Sequence, residues 1–198
     1  EVMTALKNAG VTPAWVQVGN EIPGGMIYPE GSVQNWPQLA QLINKGYDAI
    51  KTVSPTSKVI LHVDQGNDNA RFRWWFDAAT ANGALYDMIG LSYYPYWLEG
   101  QPDYTKSIDD LGKNMNDMVI RYGKEVMVVE VGGEDIKTQN TYDMLIAVQN
   151  KVKAVTAGFG KGVFYWEPEG ARSWSRYALS AWGDDGKPTK AMDAFLLP

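Results

Sequence analysis

The chain has 198 residues, 45% of them hydrophobic, with 8 Trp, 11 Tyr and a formal net charge of −5. The absence of cysteine excludes disulfides, zinc–thiolate centres and cysteine nucleophiles, and a single histidine excludes a poly-histidine metal centre. With no Lys/Arg run and no apolar stretch near the ~18 residues of a membrane span, neither nucleic acid nor a membrane is an expected partner.

Glu1 to Asn8 reads as the tail of an amphipathic helix, stopped at Gly10 and Pro13. A domain that opens on a helix tail is expected to have lost what came before, a leader included, and no stretch of these residues reads as a signal peptide. Trp15 to Glu21 is the first predicted strand, and Pro23, Gly24, Gly25 and Pro29 forbid its continuation. Asn35 and Pro37 open a helix running to about Val53. Lys58 to Asp64 is the second strand, followed by a helix from Asp68 to Ala81 in which Trp74 and Trp75 read as packing residues. Met88 to Pro95 is the third strand and leads into the aromatic loop around Tyr96 and Trp97. A helix from Tyr104 to Tyr122 ends at Gly123, and Glu125 to Val131 is the fourth strand. A helix from Thr138 to Ala157, a fifth strand from Gly162 to Glu167, a loop holding Trp174 and Trp182, and a helix from Thr189 to Leu196 complete the chain. Asp64 to Asp68 lacks the bidentate Glu of a calcium loop.

Strict alternation of short apolar strands with longer helices calls for a parallel sheet covered by helices. A doubly wound sheet predicts a Gly-rich phosphate loop after a strand, and none is present. The expected fold is therefore α/β, a partial TIM (β/α)8-type barrel of about five units, in a single domain spanning residues 1–198.

In such a barrel the functional groups sit at the C-terminal strand ends. Those ends supply Asn20 and Glu21, His62 and Asp64, Tyr93 and Tyr94, Glu130, and Trp166 with Glu167. Two carboxylates, polar groups and flat rings suit acid–base chemistry on a neutral sugar. The plain alternative for each acid is a solvated strand-end residue. Strict alternation puts Glu130 at the end of the row Val126 and Val128. Trp97 and Trp174, in loops, are candidate platforms for sugar rings.

Trp15 to Ile22, with Gly25-Met26 and Pro29-Glu30-Gly31, resembles the acid/base strand of glycoside hydrolase family 53, the endo-β-1,4-galactanases of a large (β/α)8 clan of retaining glycosidases. Leu61 to Asp64, Trp74 to Asp77, Ser92 to Trp97, Val128 to Glu130, Gly162 to Pro168 and Ser180 to Gly183 agree in order. The resemblance implies that these five strands are equivalent to strands 4–8 of the barrel. It implies Glu21 as acid/base, Glu130 as nucleophile, Asn20 on the sugar 2-hydroxyl, and His62, Asp64, Tyr93 and Trp166 lining subsites. The implied substrate is β-1,4-galactan of plant cell walls, cleaved with retention and without metal or organic cofactor, by a secreted or periplasmic enzyme.

Two departures accompany it. Val131-Gly132-Gly133 follows Glu130, where many members carry an aromatic–Pro loop. The family's first three β/α units, which would supply an Arg near the nucleophile, have no counterpart here. The alternatives are therefore a barrel fragment that binds polysaccharide with little turnover, or a glycanase with shifted specificity, for instance on β-1,4-glucan. An open five-stranded sheet has two unpaired edges, which a second copy of the chain would most simply cover.

Overall fold

The computed structural model describes residues 1–196. A short helix α1 (Val2–Asn8) precedes β1 (Trp15–Gln17), and then strands and helices alternate: α2 (Trp36–Val53), β2 (Lys58–Val63), α3 (Asn69–Ala81), β3 (Met88–Tyr93), α4 (Ile108–Tyr122), β4 (Glu125–Val131), α5 (Thr138–Lys153), β5 (Gly160–Tyr165) and the single turn α6 (Arg172–Ser175). The five strands form one parallel sheet in the order β1-β2-β3-β4-β5. A doubly wound sheet would reverse strand order at a switch point, whereas sequence order maintained throughout is that of a barrel segment.

The helix ends follow local chemistry. Pro37 occupies the first turn of α2, where a missing N–H costs nothing. The Asp68 carboxylate caps α3 by accepting the Arg71 amide at 3.0 Å. The helix α4 opens on Asp109 and Asp110 and closes on Gly123 at φ 63°, matching the helix dipole and the left-handed terminus.

The two faces of the sheet are sorted by side-chain alternation. Leu61, Val63, Ile89, Leu91, Tyr93, Val126 and Val128 pack against the helices in the main core. Ile60, Met88 and Met127 form a second cluster on the opposite, inner face, with Val129 beside them. Burying each such side chain stabilises the fold by about 1.5–3 kcal/mol. Trp75 anchors the core behind the first loop. It meets Trp36 and Phe76 edge-on and donates from its indole Nε1 to the Ile22 carbonyl at 2.8 Å.

Several expectations need correction. The first strand stops at Gln17, because Gly19 and Glu21 both take positive φ (78° and 43°). An added Cβ at Gly19 would lie 2.6 Å from Ile22 Cγ2, so the turn demands glycine. The fifth strand is Gly160–Tyr165, ending two residues before Glu167. The long helices expected from Tyr104 and to Ala157 are each split, with 3₁₀ turns at Tyr104–Lys106 and Thr156–Gly158, and the final helix is a 3₁₀ segment, Lys190–Phe195. Trp74 is not a packing residue. It projects outward, 52% exposed, because Phe72, Trp75 and Phe76 occupy the inward face of α3.

Candidate active site

Glu130 reaches the inner face through an irregularity. Leu91 pairs with Val128, but the next residue, Ser92, pairs with Glu130, so Val129 is an extra residue in β4. Val129 and Glu130 therefore both turn inward, while Val131 returns to the helix-side core. This corrects the row assigned from strict alternation. Without the bulge, Glu130 would point at α4 and α5.

Across the sheet, Glu21 follows β1 in a turn held by Ile22, whose amide donates to the His62 carbonyl at 2.9 Å. The Ser92 hydroxyl donates to Glu21 Oε1 at 2.5 Å. His62 Nδ1 accepts the Glu21 amide at 3.3 Å, which leaves Nε2 as the protonated nitrogen, bonded to Ser92 Oγ at 2.6 Å. Burial holds the imidazole down at about 4, so the ring is neutral. Its 4.0 Å approach to Glu130 Oε1 is thus no ion pair.

Glu130 is only 7% exposed. Tyr94 donates to its Oε2 at 3.1 Å, and Asn20 hydrogen-bonds it as well. Gln17 donates to Asn20 Oδ1 at 3.1 Å, which turns the Asn20 amide nitrogen to Glu130. Tyr177, in the turn after α6, hydrogen-bonds Tyr94. Since Tyr94 has committed its proton to Glu130, Tyr177 is the donor in that pair. Burial, and then the Glu21 charge, push the Glu130 carboxyl up to about 7, against the lowering effect of Tyr94 and Asn20. Among the described residues, the groups that reach Glu130 include no cation.

The structure gathers most of the expected residues here and displaces others. Glu21, Asp64, Gln65, Ser92, Tyr94, Trp97 and Leu98 line one cleft. Within it Asp64 is held by Arg71 through two bonds, 2.8 and 2.9 Å, so it presents an ion pair and not a free carboxylate. Trp97, 64% exposed, meets Tyr96 edge-on and offers an open ring face. Trp166 follows β5, its amide bonded to the Val131 carbonyl, and Trp174 sits exposed on α6. His62 is fully buried with both nitrogens engaged, so it supports Glu21 and does not line the cleft as expected. Tyr93 is wholly buried on the helix side, its hydroxyl on Ser107 and the Tyr104 carbonyl, because residues 89, 91 and 93 of β3 share the core face. The tyrosine of the site is Tyr94. The sequence put Tyr94 beside Tyr93 at a strand end without separating the two, and it assigned no role in the site to Ser92, Tyr177 or Arg71. Of these, Ser92 was legible by alternation, since it shares a face with Met88 and Gly90.

The family model for glycosyl hydrolase family 53 matches residues 1–195. The chain belongs to that family. An uncharacterized protein from the bgaB 5′ region of Niallia circulans is 34% identical over 93% of this chain and 58% of its own length. The arabinogalactan endo-β-1,4-galactanase of Thermothelomyces thermophilus is 31% identical over 82% of this chain and 54% of its own. A fungal β-1,4-galactanase structure superposes with a TM-score of 0.85 at 27% identity, covering 99% of this chain and 65% of that one. The chain thus spans about half the length of the curated relatives it matches. In family 53 terms the five strands are a barrel segment, as the sequence implied.

Proposed function

We propose that this chain carries the reacting carboxylates of an endo-β-1,4-galactanase and cleaves β-1,4-galactan with retention. The observation that supports it is the pairing of Glu21 and Glu130 on one face of the sheet, close enough for the charge of one to raise the proton affinity of the other. Each is held by neutral donors: Ser92 on Glu21, Tyr94 and Asn20 on Glu130. In the first step the ionised Glu130 attacks the anomeric carbon, the glycosidic C–O bond breaks, and Glu21 gives its proton to the departing oxygen. In the second, Glu21 takes a proton from water, the water oxygen attacks the same carbon, and Glu130 leaves as carboxylate. Trp97, Trp166 and Trp174 are the exposed ring faces on which sugars would stack. A secreted or periplasmic location and a plant cell-wall substrate belong to the same proposal.

A second reading, polysaccharide binding with little turnover, is favoured by the burial of Glu130, which pushes its carboxyl up to about 7 and keeps it protonated in mildly acidic solution. Release of reducing ends from β-1,4-galactan, carboxymethylcellulose and xylan decides between them. With the wild type, Glu21→Gln and Glu130→Gln in parallel, the proposal expects galactan cleavage and a loss of about 10²–10⁴-fold in each variant. A folded, inert wild type supports the binding reading, and preferred cleavage of carboxymethylcellulose shifts the substrate to β-1,4-glucan. We further propose that a second copy of the chain covers the open edges β1 and β5.

A further inference from the structure

Three hydrogen bonds close a ring on one residue. The Glu21 amide donates to His62 Nδ1, His62 Nε2–H donates to Ser92 Oγ, and the Ser92 hydroxyl donates to Glu21 Oε1. The directions are not free. Nδ1 has spent its lone pair on a backbone N–H, so Nε2 carries the ring proton, and Ser92, having accepted that hydrogen bond, has its own proton left for the carboxylate. His62 and Ser92 are both almost completely buried, so water does not compete for these bonds. The ring grips Glu21 at both ends, by its backbone, which is held at φ 43°, and by its carboxyl. Among the described residues, Ser92 is the side chain whose hydrogen bond ties down that carboxyl.

We infer that Ser92 is a positioning residue that keeps Glu21 Oε1 an acceptor throughout the reaction, so that the catalytic proton is carried on Oε2. The inference rests on the reading of Glu21 as the acid/base. In the first step the proton leaves Oε2 for the glycosidic oxygen as the C–O bond breaks. In the second, Oε2 takes a proton from the attacking water. The proton does not pass through Ser92 to His62, because His62 Nδ1 is capped by the Glu21 amide and cannot take up a proton while that bond holds. The ring is a static clamp, and it selects which oxygen does the chemistry.

The test compares Ser92→Ala and Ser92→Thr on β-1,4-galactan and on an aryl β-1,4-galactobioside whose dinitrophenolate departs without acid assistance. Ser92→Ala is expected to lower kcat on galactan by about 10- to 100-fold with KM within about twofold. On the activated substrate the same variant should lose less than about threefold in kcat/KM, which reports the first step alone, since that step needs no proton donor. Ser92→Thr, which retains the hydroxyl, should recover most of the galactan rate. An equal loss on both substrates, or no loss on galactan, overturns the inference. A second readout needs no turnover. His62 is the sole histidine, so its imidazole nitrogens are assigned without ambiguity. Proton–nitrogen correlation spectra should show the Nε2–H tautomer unchanged between about pH 5 and 8. That signal should move in both Ser92→Ala and Glu21→Ala. An Nδ1–H tautomer, or an Nε2–H indifferent to both substitutions, overturns the ring. If the imidazole behaves as expected but the wild type cleaves neither substrate, the geometry of the clamp stands and the catalytic reading on which the inference rests falls.

Discussion

At Glu130 burial competes with two hydrogen-bond donors, and burial wins, leaving the carboxyl at about 7. As the proposed nucleophile, Glu130 must be ionised, so under that proposal kcat/KM should rise as pH is raised through about 7. Tyr94 donates to the charged form and favours it. Tyr94→Phe should therefore move that limb of the pH–rate profile upward by about one pH unit, which below pH 7 is a loss of about tenfold. A limb that stays in place would show that Tyr94 does not stabilise the carboxylate. Both glutamates were legible as strand-end acids in the sequence. Tyr94 was not distinguished from Tyr93, although alternation from Met88 already assigns Tyr93 to the core side.

Among the elements, the loop after β1 and the bulge in β4 aim the two acids. The first depends on Gly19, where both the φ of 78° and the contact with Ile22 exclude a side chain. Gly19→Ala should cost about 1–3 kcal/mol, read as a lower urea midpoint at unchanged slope. Wild-type stability in that variant would mean that the turn relaxes without strain. The order and type of the strands and main helices followed from apolar runs, caps and glycines, all local signals. The bulge did not. It is a mismatch between Leu91–Ser92 and Val128–Glu130, a property of two strands paired in space, and no pattern within Glu125–Val131 announces it.

For the whole molecule, two buried groups shape stability in opposite senses. His62 has its proton affinity lowered from 6.5 to about 4, so its unfolded form binds the extra proton and its contribution is lost as pH falls from 6.5 towards 4. Glu130 is raised from 4.5 to about 7, so its contribution is present below 4.5 and lost as pH rises to 7. Between 4.5 and 6.5 the two slopes oppose each other. Glu130→Gln removes one of them. The stability of wild type relative to that variant should fall by on the order of 3 kcal/mol between pH 4.5 and 7, measured by urea unfolding at both. Parallel pH dependences would refute the assignment. The exposed edges make a second prediction. The edge strands β1 and β5 turn Trp15 and Phe164 outward on the inner face, 41% and 52% exposed. Sedimentation should show a dimer or larger assembly, weakened by Phe164→Ser, and a monomer at every concentration would remove the proposed second copy.

What the sequence by itself determined is the list of parts: a parallel α/β segment, its family, and two glutamates at strand ends, because periodicity, caps and short motifs act over a few residues. The tertiary structure decided which way those parts face. Glu130 turns inward only because β4 carries one residue more than β3 at that point. Tyr93 is lost to the core while Tyr94 enters the site. His62 and Ser92, 30 residues apart, are joined to Glu21 in one ring. Such relations depend on register and on burial between distant segments, and those are set only when the sheet has formed.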